Sequence, residues 1–293
     1  MNPLRAYYAP AYAAADSTPS ARLQLLADRL QRCARVELCE PRPMDIGLLQ
    51  GLHSDEYTKA FLDGTAPLAS SQGVAWSPAI RDSVLAMLAG QLDAADHALQ
   101  HGIAMNVARG FHHAVWSRGG GLCALNGLAL VAHCRPDRRI FVLDCDEHGG
   151  NGTEEFCARL GNLYSASIFG TRFGCYGGTR SWAFPVNVGR DGFATYLDAL
   201  QAARTLIVEH APDLLIYQAG VDCHRNDPKG RAGLSSLQLL QRDRWVFRMA
   251  RELRVAVLFV VAGGYQDAQT LMSLNANTVR AAVNTYCVGS LAR

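Results

Sequence analysis

One stretch constrains the fold more than any other: Ile140-Phe-Val-Leu143 is an unbroken apolar run, and it stops at Asp144-Cys-Asp146-Glu-His148-Gly-Gly-Asn151-Gly. A run apolar at every position suits a strand of a parallel sheet that is covered on both faces. Such sheets carry their chemistry at the carboxyl ends of the strands. Two aspartates and a histidine at alternate positions there are costly to desolvate unless a cation holds them, which points to Asp146 and His148 as metal ligands. The competing reading is a strand end followed by a polar turn and a helix cap. The rest of the chain decides between them.

Three further segments repeat the pattern. Ala104 to Val107 reads as a strand that leads to Arg109-Gly-Phe111-His112-His113-Ala114. Leu214 to Gln218 leads to Ala219-Gly-Val-Asp222, and Val255 to Val261 leads to Gly263-Gly264-Tyr265. Helical patterns alternate with these strands: Ala21 to Arg32 after a Ser-Thr-Pro-Ser pause at 17–20, Tyr57 to Leu62, a long helix from Ser77-Pro78 to His101, Leu125 to Cys134, Glu154 to Leu160, Gly192 to His210, Leu237 to Leu253, and a last one near Val279 to Tyr286. Val36 to Cys39 and Asn162 to Ile168 add strands, and Phe169 to Ser181 reads as a glycine- and aromatic-rich loop. No linker interrupts the alternation, so the expectation is one α/β domain over residues 1–293.

Composition removes several classes. Apolar residues make up 49% and charged residues 18% of 293, which is a globular balance. A net charge of +2 gives no electrostatic footprint for nucleic acid. Nine cysteines without a C-x-x-C spacing read as free thiols in a reducing compartment. No apolar signal core and no membrane span are visible, so the expected address is the cytoplasm. The glycine clusters do not spell G-x-G-x-x-G, and a nucleotide cofactor is not expected.

Asp146, His148 and Asp222 supply three ligands, the number a catalytic zinc site uses while leaving a position for water. His112 and His113 suit general acid and base work, with Asp144 and Asn151 as natural ring partners that tune the two apart. A core histidine pair is the plainer alternative. At Gly263-Gly264-Tyr265 the chain can approach a ligand closely and Tyr265 can donate to an oxyanion; a packed aromatic is the alternative there. His53 lacks a partner at metal-ligand spacing and reads as a surface or capping residue.

Taken together, His112-His113-Ala114, Gly121-Leu122-Cys-Ala-Leu-Asn126, Asp144-Cys-Asp146-Glu-His148-Gly-Gly-Asn151, Ala219-Gly-Val-Asp222 and Gly263-Gly-Tyr265 resemble the zinc-dependent histone deacetylase family of the arginase/deacetylase superfamily. The likeness runs over roughly residues 16–290 and is nearest to the class IV branch in Gly233-Leu-Ser, Arg242-Asp243 and Val246-Phe-Arg-Met249. It implies a single-domain parallel sheet of about eight strands flanked by helices, zinc on Asp146, His148 and Asp222, and a structural potassium ion near the backbone from Asp144 to His148. It also implies His113 as base and acid, His112 as its electrostatic partner, Tyr265 on the scissile carbonyl, Asp144 on His112, and Asn151 on His113. Gly121, Leu122, Gly264 and Tyr176 are the expected substrate contacts.

The implied activity is removal of acetyl or longer acyl groups from lysine side chains of a protein or peptide. A small acylated amine such as an acetylpolyamine is the alternative substrate, and a catalytically weak acyl-lysine binding relative is the alternative class. Four departures from the family pattern, Leu122 in place of an aromatic, Gly127, Gly149, and Phe111 in place of a frequent glycine, bear on acyl length and substrate class, and the first three motivate the binding relative. The smaller Leu122 predicts a thinner tunnel wall and room for acyl groups larger than acetyl.

Overall fold

The computed structural model describes residues 2–13 and 18–287. Ser17, at the start of the expected pause, lies outside them, and the first helix is already formed at Thr18. Eight strands build one sheet: β1 Leu4–Tyr7, β2 Val36–Cys39, β3 Ile103–Asn106, β4 Ile140–Asp144, β5 Leu163–Phe169, β6 Ser181–Pro185, β7 Leu214–Ala219 and β8 Ala256–Val261. Their order is β2-β1-β3-β8-β7-β4-β5-β6, and every pairing is parallel. The helices are α1 Thr18–Gln31, α2 Asp55–Asp63, α3 Pro78–His101, α4 Gly127–His133, α5 Asn151–Arg159, α6 Val188–Asp191, α7 Phe193–His210, α8 Ser236–Leu253 and α9 Ala268–Tyr286. No helix among the described residues is long and apolar enough to cross a membrane.

The four central strands, β3, β8, β7 and β4, are the ones whose sequences lack polar alternation. Every residue of β3, β4 and β7 is buried, because helices cover both faces. Register aligns their carboxyl ends: Asn106 pairs with Val260, Val260 with Gln218, and Gln218 with Asp144. Whatever follows those residues is therefore delivered to one place.

Local chemistry fixes several helix ends as expected. Ser77 caps α3 by accepting from the Ile80 amide, Pro78 stands in the first turn, and Gly102 closes the helix in the left-handed region at φ +92°. A reciprocal Ser235/Gln238 box starts α8.

Four expectations need correction. β1 was not apparent, since four residues among alanines and tyrosines show no period. β6 begins at Ser181, the last residue of the expected loop, where no strand is expected. α9 begins at Ala268 rather than near Val279, capped by Asp267 accepting from Thr270. His53 is not a surface residue: it is 1% exposed, with Nδ1 donating to the Val115 carbonyl and Nε2 accepting from the Asn126 amide.

Candidate active site

The four strand ends bring Asp146, His148, His112, His113 and Tyr265 around one small cavity, with Asp222 against Asp146 and His148. Donor atoms of Asp146, His148 and Asp222 lie within 4.8 Å of one another. His148 Nδ1 is 3.3 Å from Asp146 Oδ1 and 3.3 Å from Asp222 Oδ2. Two donors on a tetrahedral shell of ~2.0 Å radius stand about 3.3 Å apart, so the spacing suits a small divalent ion.

The electrostatics agree. Both carboxylates are buried, and Asp222 Oδ2 has no hydrogen-bond partner among the described residues. Burial and the neighbouring Asp146 push the Asp222 carboxyl up to about 7. Burial pulls His148 down, but the adjacent carboxylates of Asp146 and Asp222 outweigh that and raise it to about 10. A site that holds a proton so firmly between two acids is short of one cation, and the three residues fit a metal ion.

Glycine makes the convergence possible. A Cβ on Gly263 would lie 1.9 Å from Asp222 Oδ2, and one on Gly220 would lie 2.6 Å from the Asp146 Cα. The Gly263 amide donates to Asp146 Oδ2 at 2.6 Å.

The two histidines stack with ring centroids 3.9 Å apart. His112 Nδ1 donates to Asp144 Oδ2 at 2.6 Å, and His113 Nδ1 donates to Asn151 Oδ1 at 2.8 Å. Asp144 ends β4 and Asn151 starts α5, so one turn of chain positions both partners. Burial lowers His112, but Asp144 and Asp146 together hold it above its ordinary value. Burial, with His112 adding to it, holds His113 well below. The pair is thus tuned apart, with the neutral His113 presenting Nε2 away from Asn151. Burial raises Tyr265 and keeps its hydroxyl protonated. Its amide donates to Asp227 and its ring lies 4.0 Å from Lys229 Nζ. Cys123 also lines the cavity, but burial pushes its thiol up to about 12, so it is a neutral wall and not a nucleophile.

The substrate contacts differ from expectation. Gly121 lines the cavity at φ +52°, its backbone against the His113 ring. Leu122 does not line it: the residue turns through φ +64°, its amide donates to the Gln72 carbonyl, and Gly121 and Cys123 face the cavity instead. The inference of a thinner wall at Leu122 loses its footing there. Tyr176 is 73% exposed over Arg172 and is not part of the site. Phe173 takes that place, its ring 4.0 Å from His113 and 5.8 Å from His148. Gly264 lies one cavity further in, where its carbonyl accepts from Arg22.

The departures have visible reasons. Gly149 admits the Phe173 loop, since a Cβ there would meet the Arg172 carbonyl and the Cys175 Cβ at 2.5 Å. Phe111 occupies φ +60° while buried, a conformation a glycine would hold without strain. Sequence reasoning missed Phe173 and Glu154, and of Arg242 it had only the family likeness and not the role. The Glu154 carboxylate accepts from the Tyr176 and Gly177 amides and so ties down the Phe173 loop. The Phe173-Gly174 pair was the available signal for the first; Glu154 reads as an ordinary helix-surface charge.

A cluster of two carboxylates and an imidazole, beside a histidine pair at the carboxyl edge of a parallel sheet, defines a class of α/β protein built around a candidate metal site. The chain belongs to the histone deacetylase domain family, whose family model matches residues 17–282, and it is an amidohydrolase of that family. It is 30% identical over 256 residues to histone deacetylase 2 of Arabidopsis thaliana, covering 82% of this chain and 65% of the plant protein. It is 33% identical over 171 residues to acetylpolyamine amidohydrolase 2 of Pseudomonas aeruginosa, covering 53% of this chain and 48% of that protein. The fold matches the acetylpolyamine aminohydrolase of Burkholderia pseudomallei with a TM-score of 0.76, 17% identity, and 96% and 99% of the two chains covered.

Proposed function

We propose that this protein is a zinc-dependent hydrolase that removes acyl groups from lysine side chains of a protein or peptide. The observation that carries the proposal is the meeting of the Asp146/His148/Asp222 cluster with a histidine pair whose outer nitrogens are fixed by Asp144 and Asn151. Asp146, His148 and Asp222 hold the ion, which supplies a lowered water pKa and a polarised carbonyl when bound.

The chain's own groups do the rest. His113, neutral and oriented by Asn151, takes the proton from the attacking water and returns it to the leaving amine. His112, paired with Asp144, keeps positive charge behind it. The protonated Tyr265 hydroxyl donates to the oxyanion, and Gly121 and Phe173 hold the aliphatic chain of the amine. A potassium ion near the backbone from Asp144 to His148 belongs to the same reading, but not on the Cys145 carbonyl, which already accepts from Arg242.

Likeness to acetylpolyamine amidohydrolases supports a second substrate, a small acylated amine. Turnover of an acetyl-lysine peptide beside acetylputrescine, with and without chelator, separates the two. Chelator-sensitive release from the peptide is expected; release from acetylputrescine alone moves the substrate, and silence on both with zinc bound leaves an acyl-lysine binding protein. Tyr265→Phe is expected to cost on the order of 10²–10³ in turnover, and an unchanged rate removes Tyr265 from the mechanism.

A further inference from the structure

The cavity beside the cluster has two ends of different chemistry. Gly121 stands at the solvent end, and the Phe173 ring stacks on His113 at the cavity wall; both are exposed. Arg109 stands at the inner end, half-buried, with its guanidinium carbon 5.4 Å from the centre of the Phe111 ring. Its Nε is buried and has no hydrogen-bond partner among the described residues. The carboxylates of the site pair with histidines and not with Arg109.

Arg109, Ala262, Gly263 and Tyr265 also form a wall of a second cavity, of about 30 Å³. At roughly 10–15 Å³ per water-sized group, that space accommodates about two such groups, the size of a carboxylate. Arg22 and Asn275 line it among aliphatic side chains, and no acidic residue does. Two guanidinium groups, both partly buried, border this small space, and a planar carboxylate matches the guanidinium fork.

We propose that the acyl group removed by this enzyme carries a distal carboxylate, as in succinyl or glutaryl amides, and that Arg109, backed by Arg22, binds it. The inference rests on the amidohydrolase reading. With the scissile carbonyl at the cluster, the bulky amine must leave past Phe173 toward solvent. The acyl chain then points inward to Arg109. Water cleaves the C–N bond, giving a free dicarboxylate and an amine that takes up the proton, and no redox partner is involved.

The test is calorimetric binding of a glutaryl-lysine peptide and of the same peptide with its acyl chain ending in a carboxamide, to zinc-loaded wild type and Arg109→Gln. The wild type is expected to prefer the carboxylate at least about tenfold, roughly 1.4 kcal/mol, and Arg109→Gln to lose that preference. Arg22→Gln carries the same comparison should Arg109→Gln fail to fold. Equal affinities of the two peptides for wild type overturn the proposal. Arg109-dependent binding of free acetate or glutarate, without a preference between the peptides, assigns the cavity to released acid and also overturns it. Turnover of the acetyl-lysine peptide and acetylputrescine by the same wild-type preparation reports separately on the amidohydrolase reading.

Discussion

Arg242 offers the sharpest test of how the site is held. It is 0% exposed, and its guanidinium donates to the carbonyls of Cys145, at 3.1 Å, and Gly220, at 2.7 Å. Those residues stand beside Asp146 and two before Asp222, so one buried cation pins the backbone of both acidic metal-ligand candidates. Its charge is met by Asp243, which also accepts from Tyr217 and Thr278. Arg242→Met removes one partner of a buried ion pair and strands the other, which costs about 3–5 kcal/mol. Against a typical total of about 5–15 kcal/mol, that is a large fraction. At roughly 2–4 °C per kcal/mol, the melting temperature of the metal-free protein should fall by about 6–20 °C. Arg242→Met/Asp243→Leu removes the stranded charge and should recover much of the loss. It should not recover zinc affinity, expected to fall about 10–100-fold as for groups that orient ligands. The assays are thermal unfolding of the metal-free protein and zinc competition against a chromogenic chelator. An Arg242→Met protein within about 1 kcal/mol of wild type, with unchanged zinc affinity, would refute the reasoning.

Other perturbations follow from the same geometry. Gly263→Ala puts a Cβ into the space of Asp222 Oδ2 and should weaken zinc binding at least about tenfold; competition titration with normal affinity counts against the cluster. Glu154→Ala releases the amides of Tyr176 and Gly177, and thereby the loop that stacks Phe173 on His113. At about 1.5 kcal/mol for a charge-assisted bond, KM should rise roughly tenfold with kcat less affected, and a pure kcat loss contradicts that role. His53 is held down to about 4 by burial, and its Nε2 accepts a backbone amide. The unfolded state therefore binds the extra proton between pH 6.5 and 4, so stability is full above 6.5 and falls as pH falls, by about 3 kcal/mol at about 1.4 kcal/mol per pH unit. Urea unfolding of wild type against His53→Gln measures it, and parallel pH profiles refute it.

Legibility in the sequence followed how far a residue's energy depends on its near neighbours along the chain. The buried strands declared themselves because β4, β7 and β8 are apolar at nearly every position, and their polar terminations then stood out. Asp144, Asp146, His148 and Asn151 lie within one turn of chain, so their joint role could be read from spacing. His53 could not be read, because its partners Val115 and Asn126 are 62 and 73 residues away. Phe173 and Tyr176 are equivalent as sequence, each an aromatic beside glycine. What separates them is backbone: Phe173 at φ +47° and Gly174 at φ +80° turn one ring onto His113 and leave the other over Arg172.

The arginines carry this reasoning one step further. A basic side chain on a helix or loop reads as solvated surface by default, and neither the class IV likeness at Arg242-Asp243 nor the histidine segment that follows Arg109 says what either arginine does. The structure makes them exceptions of opposite kinds. Arg242 is sealed, donating to two carbonyls from distant segments and to the carboxylate of the adjacent Asp243, so its charge serves the fold of the site. Arg109 is only half-buried and its Nε has no partner among the described residues, so its charge is left for something that enters. Substitution by lysine separates the two roles. At Arg242 a lysine has no planar fork to span two carbonyls and Asp243 together, and unfolding should detect the loss. At Arg109 a lysine keeps the charge and should retain much of the preference for a carboxylate.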